Sequence, residues 1–304
     1  MTASSSLPLM VALGDSEEHK TALTYASSEA VREGRDLVLV HVVHPVAFYG
    51  GLGSESILLP LEVVEAAGKA LTDRAASIAR DLTKGKVAVR TETRLGDTVQ
   101  MLVTMAEDAD RVILQHRQMS ALHRVFTGSV SAGVAGRCSV PVVSVPENWK
   151  FKRSPAGPRV TVALAGHRDD ERLLEAAFAD VASRAGTLTI LHAWYLPSVY
   201  DDAIVDRTAV DKWSQAARDD IEIQLTDLRH DYPGVEPRIR IKHMRPADAL
   251  VEASRHSDLL IVGRSRSTHH IPHLGSLTRA VIRESVCPVE VVPLHDHAKF
   301  EPQL

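Results

Sequence analysis

Short apolar runs alternate along the chain with longer segments that carry apolar residues at helical spacing. The first half has apolar runs at Leu9–Leu13 and Leu37–Val43, and helical spacing over Thr21–Arg32 between them. Aliphatic and β-branched runs with little polar alternation are typical of strands covered on both faces. Strands that alternate with helices predict a parallel sheet, because parallel neighbours need a crossover connection.

The second half repeats this pattern in the same order. Its apolar runs and helical segment lie at Val160–Leu164, Arg172–Ser183 and Leu188–Trp194. The segments beginning "VALGDSEEHK" and "VALAGHRDDE" align without a gap as far as His41 and His192. Several matches in one order indicate an internal repeat. We therefore expect an α/β fold with two tandem doubly wound domains, each a five-stranded parallel sheet flanked by helices.

Further elements complete each half. We expect a third strand at Val87–Thr93 and at Arg238–His243, and a fifth strand at Val142–Val145 and at Val289–Val292. The segment between the halves is polar and contains prolines and a glycine, as linkers do. The predicted domains are residues 1–147 and 156–295, with a linker at 148–155 and a C-terminal tail at 296–304.

The composition of the chain argues against several classes of function. The chain has 304 residues, of which 44% are hydrophobic and 24% charged, with a formal net charge of −4. This charge argues against a general nucleic-acid or anionic-membrane binder, since both partners favour a basic surface. No apolar run approaches the roughly 20 residues that span a bilayer. The N-terminus lacks the pattern of a secretory signal, and two cysteines make no disulfide framework, so we expect a cytoplasmic protein.

A Gly-Ser pair precedes a predicted helix in each half, at Gly128-Ser129 and at Gly275-Ser276. In open parallel sheets, ligands bind beyond the carboxyl ends of the strands, where the strand order reverses. Glycine lets the backbone approach an anion closely, and the N–H groups of a helix N-terminus then hold it. Gly-Ser before a helix is also a common cap, because serine satisfies the first backbone N–H groups. Both interpretations remain open from the residues alone.

The tandem arrangement, the "LVHV" second strand and the closing Gly-Ser and "Cys-Pro-Val" segments resemble the universal stress protein family across nearly the whole chain. The resemblance implies a Rossmann-like fold related to the adenine nucleotide alpha hydrolases, and a stress-response regulatory or protective role rather than an enzyme. It further implies an adenine nucleotide such as ATP as the ligand, with Mg²⁺ accompanying its phosphates. The second half would bind it through Gly263, Arg266, Gly275, Ser276, Leu277 and Thr278.

The first half departs further from the family pattern. Gln115 and Gln118 stand where nucleotide-binding members carry glycines, and glutamine side chains would crowd the space that a triphosphate needs. The aspartate expected after the first strand is displaced by one residue, at Asp15. The degenerate site of the first half comprises Asp15, Val43, Gly128, Ser129, Val130 and Ser131.

The resemblance also implies partners. Fifth strands of the family pair antiparallel with those of another domain, so we expect the two halves to pair about a pseudo-twofold axis, and a homodimer is a further expectation. No nucleic-acid or membrane partner is expected. Two alternatives stay open: a nucleotide-independent protein-interaction scaffold, which the degraded motifs favour, and a weak ATP hydrolase.

No catalytic or metal-binding residue is assigned. The histidines of "THHIPH" lack a fourth ligand at recognisable spacing, so we interpret this segment as a solvated loop. His41 and His192 are interpreted as packing or local hydrogen-bonding residues. Cys138 and Cys287 are interpreted as small buried thiols.

Overall fold

The computed structural model describes residues 6–14, 20–43, 60–116, 130–151, 157–166, 170–196, 207–264 and 274–294. The chain divides into two compact units, Met1–Phe151 and Lys152–Leu304, here called unit 1 and unit 2. The exact boundaries at residues 147 and 156 stay a prediction.

Unit 1 alternates strands and helices among its described residues. Its strands are β1 (Leu9–Leu13), β2 (Leu37–Val43), β3 (Val89–Leu95), β4 (Arg111–His116) and β5 (Val142–Pro146). Its helices are α1 (Lys20–Glu33), α2 (Leu61–Thr83), α3 (Thr98–Met105) and α4 (Val130–Arg137), with a 3₁₀ turn at Ala106–Asp108. The third strand begins two residues later than predicted, because Lys86 still belongs to the turn that closes α2, donating its N–H to Thr83 O.

Unit 2 repeats the order. Its strands are β6 (Arg159–Leu164), β7 (Thr187–Trp194), β8 (Arg238–His243), β9 (Leu259–Arg264) and β10 (Val289–Pro293). Its described helices are α5 (Asp170–Arg184), α6 (Arg207–Asp231), α7 (Pro246–Ser254) and α8 (Ser276–Glu284). The strand at Arg238–His243 has the predicted bounds.

The strands within each unit pair in parallel. The strand order is β3-β2-β1-β4-β5 in unit 1 and β10-β9-β6-β7-β8 in unit 2. Leu9 pairs with both Leu37 and Arg111 in unit 1, and Val160 pairs with both Leu188 and Leu259 in unit 2. All of these pairings are parallel, which confirms the predicted fold class. The order reverses between β1 and β4 and again between β6 and β9, so each unit has a topological switch point.

Alternate strand residues face the two sides of each sheet. In unit 2 the side chains of Val160, Val162 and Leu164 enter a core that α5 and α6 cover with Phe178 and Leu225. In unit 1 the corresponding core is built on the β1 and β2 side chains and on alanines of α1 and α2. Small residues on these helices let them approach the sheet closely. The other face of the unit 2 sheet carries α7 and α8, and it holds the sites described below.

The two cysteines are fully packed. Cys138 is 1% and Cys287 is 2% exposed, and neither forms a disulfide. This finding confirms their interpretation as small buried thiols. Burial raises the pKa of the Cys287 thiol from an ordinary value of 9.0 to about 12.

The raised pKa of Cys287 predicts slow thiol chemistry. Since the thiolate is the reacting form, a shift from 9.0 to about 12 lowers its population at pH 8 about a thousandfold. We expect Ellman's reagent to react with the native protein at least about a hundredfold more slowly than with the denatured chain. The Cys138→Ala variant isolates Cys287, and rapid modification of that variant in the native state would contradict the prediction.

Candidate functional site

A cavity of about 230 Å³ lies at the carboxyl ends of β6, β7 and β9, where the strand order of unit 2 reverses. This is the position at which open α/β sheets bind ligands. Its lining is mainly apolar and comes from three strands, from the starts of α5 and α7, and from α8. The lining residues used below are Ala165, Asp170, Val262, Gly263, Leu277 and Leu294. We call it the carboxyl-end cavity.

Asp170 is the carboxylate in the described lining of the cavity. It begins α5, is 2% exposed, and accepts hydrogen bonds from Ala165 N at 3.3 Å and Gly166 N at 2.7 Å. The side chain therefore fixes the loop that follows β6, where Gly166 has a φ of +82° that favours glycine. The sequence position of Asp170 indicates only a favourable charge at a helix N-terminus, and this second role depends on the loop conformation.

Gly263 lies near the end of β9 and permits a close contact. A Cβ atom at this position would lie 2.7 Å from Leu294 Cδ1, so the residue lets the Leu294 side chain pack over the strand. Leu294 is 9% exposed and forms part of the cavity wall. The glycine predicted for phosphate approach thus contacts an apolar side chain, and its backbone borders the cavity.

The predicted helix after Gly275 is α8, which begins at Ser276. Gly275 is its N-cap residue, and no side chain caps the helix among the described residues. A Cβ atom at Gly275 would meet no atom of the described residues within 4 Å. Leu277 lines the cavity, whereas Thr278 is buried and 6% exposed. Arg266 lies outside the described residues.

An aromatic cluster stands at the ends of β7 and β8. Trp194 stacks on His243 with ring centroids 4.1 Å apart, and Trp213 meets Trp194 edge-on at 5.3 Å. Sequence analysis missed this cluster. The pairing register of β7 and β8 could have revealed the cluster, since Trp194 and His243 are direct partners across these strands.

Unit 1 carries a different arrangement at the corresponding position. Gln115, the counterpart of Gly263, accepts a hydrogen bond on Oε1 from Thr21 Oγ1 at 2.7 Å. Its side chain therefore links β4 to the first turn of α1.

The other described residues of the predicted unit 1 site lie on two different elements, β2 and α4. Val43 is 5% exposed and its Cγ2 would lie 2.8 Å from a Cβ at Gly68 of α2, so it packs against that helix. Val130 begins α4 and is 42% exposed, whereas Ser131 is 6% exposed. The predicted residues that lie outside the described part of the chain are Asp15, Gln118, Gly128 and Ser129.

His41 and His192 make the same contact in the two units. His41 Nδ1 lies 3.1 Å from Leu13 O, and His192 Nδ1 lies 3.1 Å from Leu164 O. Because a carbonyl oxygen only accepts, each Nδ1 carries the proton that it donates. The predicted local hydrogen-bonding role of these histidines is confirmed.

The described ranges contain no group of three or more histidine, cysteine or acidic side chains placed to hold a metal ion. The histidines of "THHIPH" lie outside these ranges. None of the described helices has both the length and the apolar character that a membrane crossing requires.

Comparisons with known proteins agree on one family. The model of the Universal stress protein family matches residues 7–146 and again residues 158–293. A universal stress protein of Mycolicibacterium smegmatis is 27% identical over 288 residues, covering 93% of this chain and 96% of that protein. One from Mycobacterium tuberculosis is 27% identical over 303 residues, covering 94% of both chains.

Solved structures show the same fold. The crystal structure of a universal stress protein from Archaeoglobus fulgidus superposes with a TM-score of 0.64 at 19% identity, over 93% of this chain and 96% of that chain. A putative universal stress protein from Pseudomonas aeruginosa gives a TM-score of 0.61 at 14% identity, over 95% and 94%.

Proposed function

The chain belongs to the universal stress protein family, with two tandem domains, and we propose from this premise that it is a cytoplasmic stress-response module with one adenine-nucleotide site, in unit 2. Its role is regulatory or protective, through binding rather than turnover. The observation that carries the proposal is the carboxyl-end cavity, which lies at the switch point of the unit 2 sheet.

The cavity suits the nucleoside part of such a ligand. Its lining is mainly apolar, as the walls of small-molecule sites are, and Val262, Leu277 and Leu294 supply apolar surface for a base. In unit 1 the Gln115 side chain spans the corresponding position and bonds Thr21. This difference supports a site in unit 2 alone.

The phosphates are assigned to the N-terminus of α8. Its first backbone N–H groups have no intrahelical partners, and the helix dipole favours a negative charge there. Gly275 supports this assignment, because a residue without a side chain lets a ligand oxygen approach the backbone closely, and a Cβ atom there would meet no described atom within 4 Å. Ser276 begins the helix and is exposed, so its hydroxyl is available to the same phosphates.

The described residues of the carboxyl-end cavity support nucleotide binding better than they support phosphoryl transfer. The described lining of the cavity supplies one carboxylate, Asp170, which already accepts two backbone hydrogen bonds. Phosphoryl transfer uses Mg²⁺ held by protein ligands and a group that positions the nucleophile. The described lining does not fit a protein-held Mg²⁺, so we propose nucleotide binding without one.

Pairing of the two halves through their fifth strands is part of the same proposal. β5 and β10 are each the last strand of their unit's sheet, and both are rich in valine. An unpaired apolar edge of this kind favours aggregation, so mutual pairing would stabilise the chain in solution.

The volume of the cavity favours a second candidate function. At about 230 Å³ it is smaller than the roughly 300–1,000 Å³ of typical small-molecule sites. A nucleotide-independent interaction module would need no larger cavity.

Measurement of bound nucleotide separates the two candidates. Protein purified without added nucleotide and then denatured should release about one adenine nucleotide per chain, or bind about one in calorimetry with AMP, ADP and ATP in turn. About two nucleotides per chain would refute the restriction to unit 2. No release and no binding with any of the three would leave the interaction module as the function.

A further inference from the structure

A second, larger cavity lies in unit 2 near the amino-terminal half of the strands, between the edge strand β8 and the end of α7. It has a volume of about 430 Å³ and lies on the sheet face that carries α7 and α8. Side chains of β6, β7 and β8 form its floor, and residues at and after the end of α7 form a wall. We call it the basic groove, and its charged and polar lining includes Arg159, Thr189, Arg238, Arg240, Lys242 and His256.

The groove has an excess of positive charge. Arg159 forms a bidentate pair with Asp258, at 2.9 and 3.1 Å, and Lys242 donates to Glu252 Oε2 at 2.8 Å. The hydrogen bond from Lys242 lowers the pKa of Glu252, so this pair stays ionised and neutral overall. Arg238 and Arg240 remain, and neither has an ion pair or side-chain hydrogen bond within the described ranges.

Strand register places these groups side by side. Thr161, Thr189 and Arg238 are direct partners across β6, β7 and β8, and Leu191 pairs with Arg240 in the next same-face row. Same-face residues on one strand lie about 7 Å apart, so the two arginines border one surface. Each guanidinium can therefore bind its own anionic group, so a ligand with more than one anionic group matches the pair.

The hydroxyl groups of the floor are arranged around the same surface. Ser257 donates to Ala253 O at 2.9 Å, so the Thr161 hydroxyl, 2.7 Å away, donates to Ser257 Oγ. Thr189 makes no hydrogen bond through its side chain to any described residue. It lies half-buried between Thr161 and Arg238, where its hydroxyl can donate to a bound oxyanion.

Unit 1 has a cavity at the corresponding position, and the charge and polarity of its lining residues differ from those of the basic groove. That cavity has a volume of about 310 Å³. The lining residues that matter for the comparison are Met10, Val38, Arg90, Glu92 and Asp108. By strand register and the repeat, Glu92 corresponds to Arg240 and Asp108 to His256. Apolar Met10 and Val38 correspond to Thr161 and Thr189. The repeat thus has two acidic positions in unit 1 where unit 2 has basic side chains.

The need to protect a sheet edge does not explain all of the polar and charged residues that line the basic groove. Charged residues on an edge strand discourage pairing with other chains, and β8 is the last strand of the unit 2 sheet. However, Thr161 and Thr189 lie on β6 and β7, which are paired on both sides. Their hydroxyls face the same groove as the arginines, as the floor of a ligand site would require.

We propose that the basic groove binds a compact ligand with two or more phosphate groups, held by Arg238 and Arg240 and by the Thr189 hydroxyl. Guanidinium groups match phosphate oxygens in pairs of parallel hydrogen bonds, and the hydroxyl adds a donor. A volume of about 430 Å³ lies within the range of small-molecule sites. This site is separate from the carboxyl-end cavity and does not depend on nucleotide binding there.

Calorimetry with inorganic tripolyphosphate and the full chain at low ionic strength tests the proposal. Arg238→Glu and Arg240→Glu should each weaken binding at least about tenfold, because a charge-assisted contact is replaced by repulsion. The matched control is Arg90→Glu, which makes the same change at the corresponding position of unit 1 and should alter affinity less than about twofold. Gly263→Gln, in the carboxyl-end cavity, should also leave the affinity unchanged.

The variants distinguish loss of the binding site from loss of folding and from a general effect of net charge. Arg238 and Arg240 are exposed, so the variants should keep the wild-type melting temperature, which circular dichroism checks. Equal weakening by Arg90→Glu would show that net charge alone drives binding and would overturn the site. So would the absence of tripolyphosphate binding by the wild-type chain, or binding that only Gly263→Gln removes.

Discussion

Replacement of Phe178 by alanine should lower the free energy of unfolding of unit 2 by about 3–5 kcal/mol. Phe178 lies on α5, is 0% exposed, and belongs to the core between the sheet and α5 and α6. Its ring meets that of Tyr232 at a centroid distance of 5.9 Å, so the truncation removes an aromatic contact as well as apolar burial. The neighbours are strand and helix side chains that cannot collapse into the space, and the cavity term therefore adds to the transfer term.

Urea unfolding followed by tryptophan fluorescence measures this effect. Trp194 and Trp213 report on unit 2 and Trp149 on unit 1, so a Trp149→Phe background restricts the signal to unit 2. The control is Ile223→Ala on α6, where the side chain is 72% exposed and the change should stay within about 0.5 kcal/mol. A loss below about 1 kcal/mol for Phe178→Ala would show that this core is not packed as described.

The strands and helices could be predicted from the sequence because their signal is local. Leu37–Val43 and Arg238–His243 have the predicted bounds, the first because it is a nearly continuous aliphatic run and the second because isoleucine alternates with basic residues after a proline. The parallel order followed from the alternation of strands and helices. Only small shifts occur, as where the turn after α2 delays the third strand to Val89.

The site residues were less predictable because their roles depend on contacts between distant positions. Gln115 bonds Thr21 across 94 positions of sequence, and only packing of α1 on the sheet brings them together. Gly263 was predicted from a motif, yet its immediate neighbour is Leu294, which follows the last strand. Arg238 and Arg240 of β8 have no ion pair among the described residues, and both the strand register and the comparison with unit 1 were needed to recognise them as a candidate site. The roles assigned to Gly275 and Ser276 stay predictions.

Gly263→Gln should weaken adenine-nucleotide binding by at least about a hundredfold, or about 2.7 kcal/mol. The variant places in unit 2 the residue that unit 1 carries at the corresponding position. A Cβ atom at residue 263 would already lie 2.7 Å from Leu294 Cδ1, and the rest of the glutamine side chain must enter the carboxyl-end cavity. In a cavity of about 230 Å³, this side chain would compete with a base for the same space.

Two controls separate loss of space from loss of structure. Gly263→Ala displaces only the flexible end of Leu294 and adds one methyl group, so its affinity should fall about tenfold or less. Gln115→Asn changes unit 1 alone and keeps an amide side chain at that position, so it should leave both affinity and stoichiometry unchanged. Isothermal titration with ATP, supported by thermal melts of each variant, gives the comparison. Wild-type affinity in a folded Gly263→Gln protein would place the nucleotide elsewhere, because a filled cavity cannot bind it.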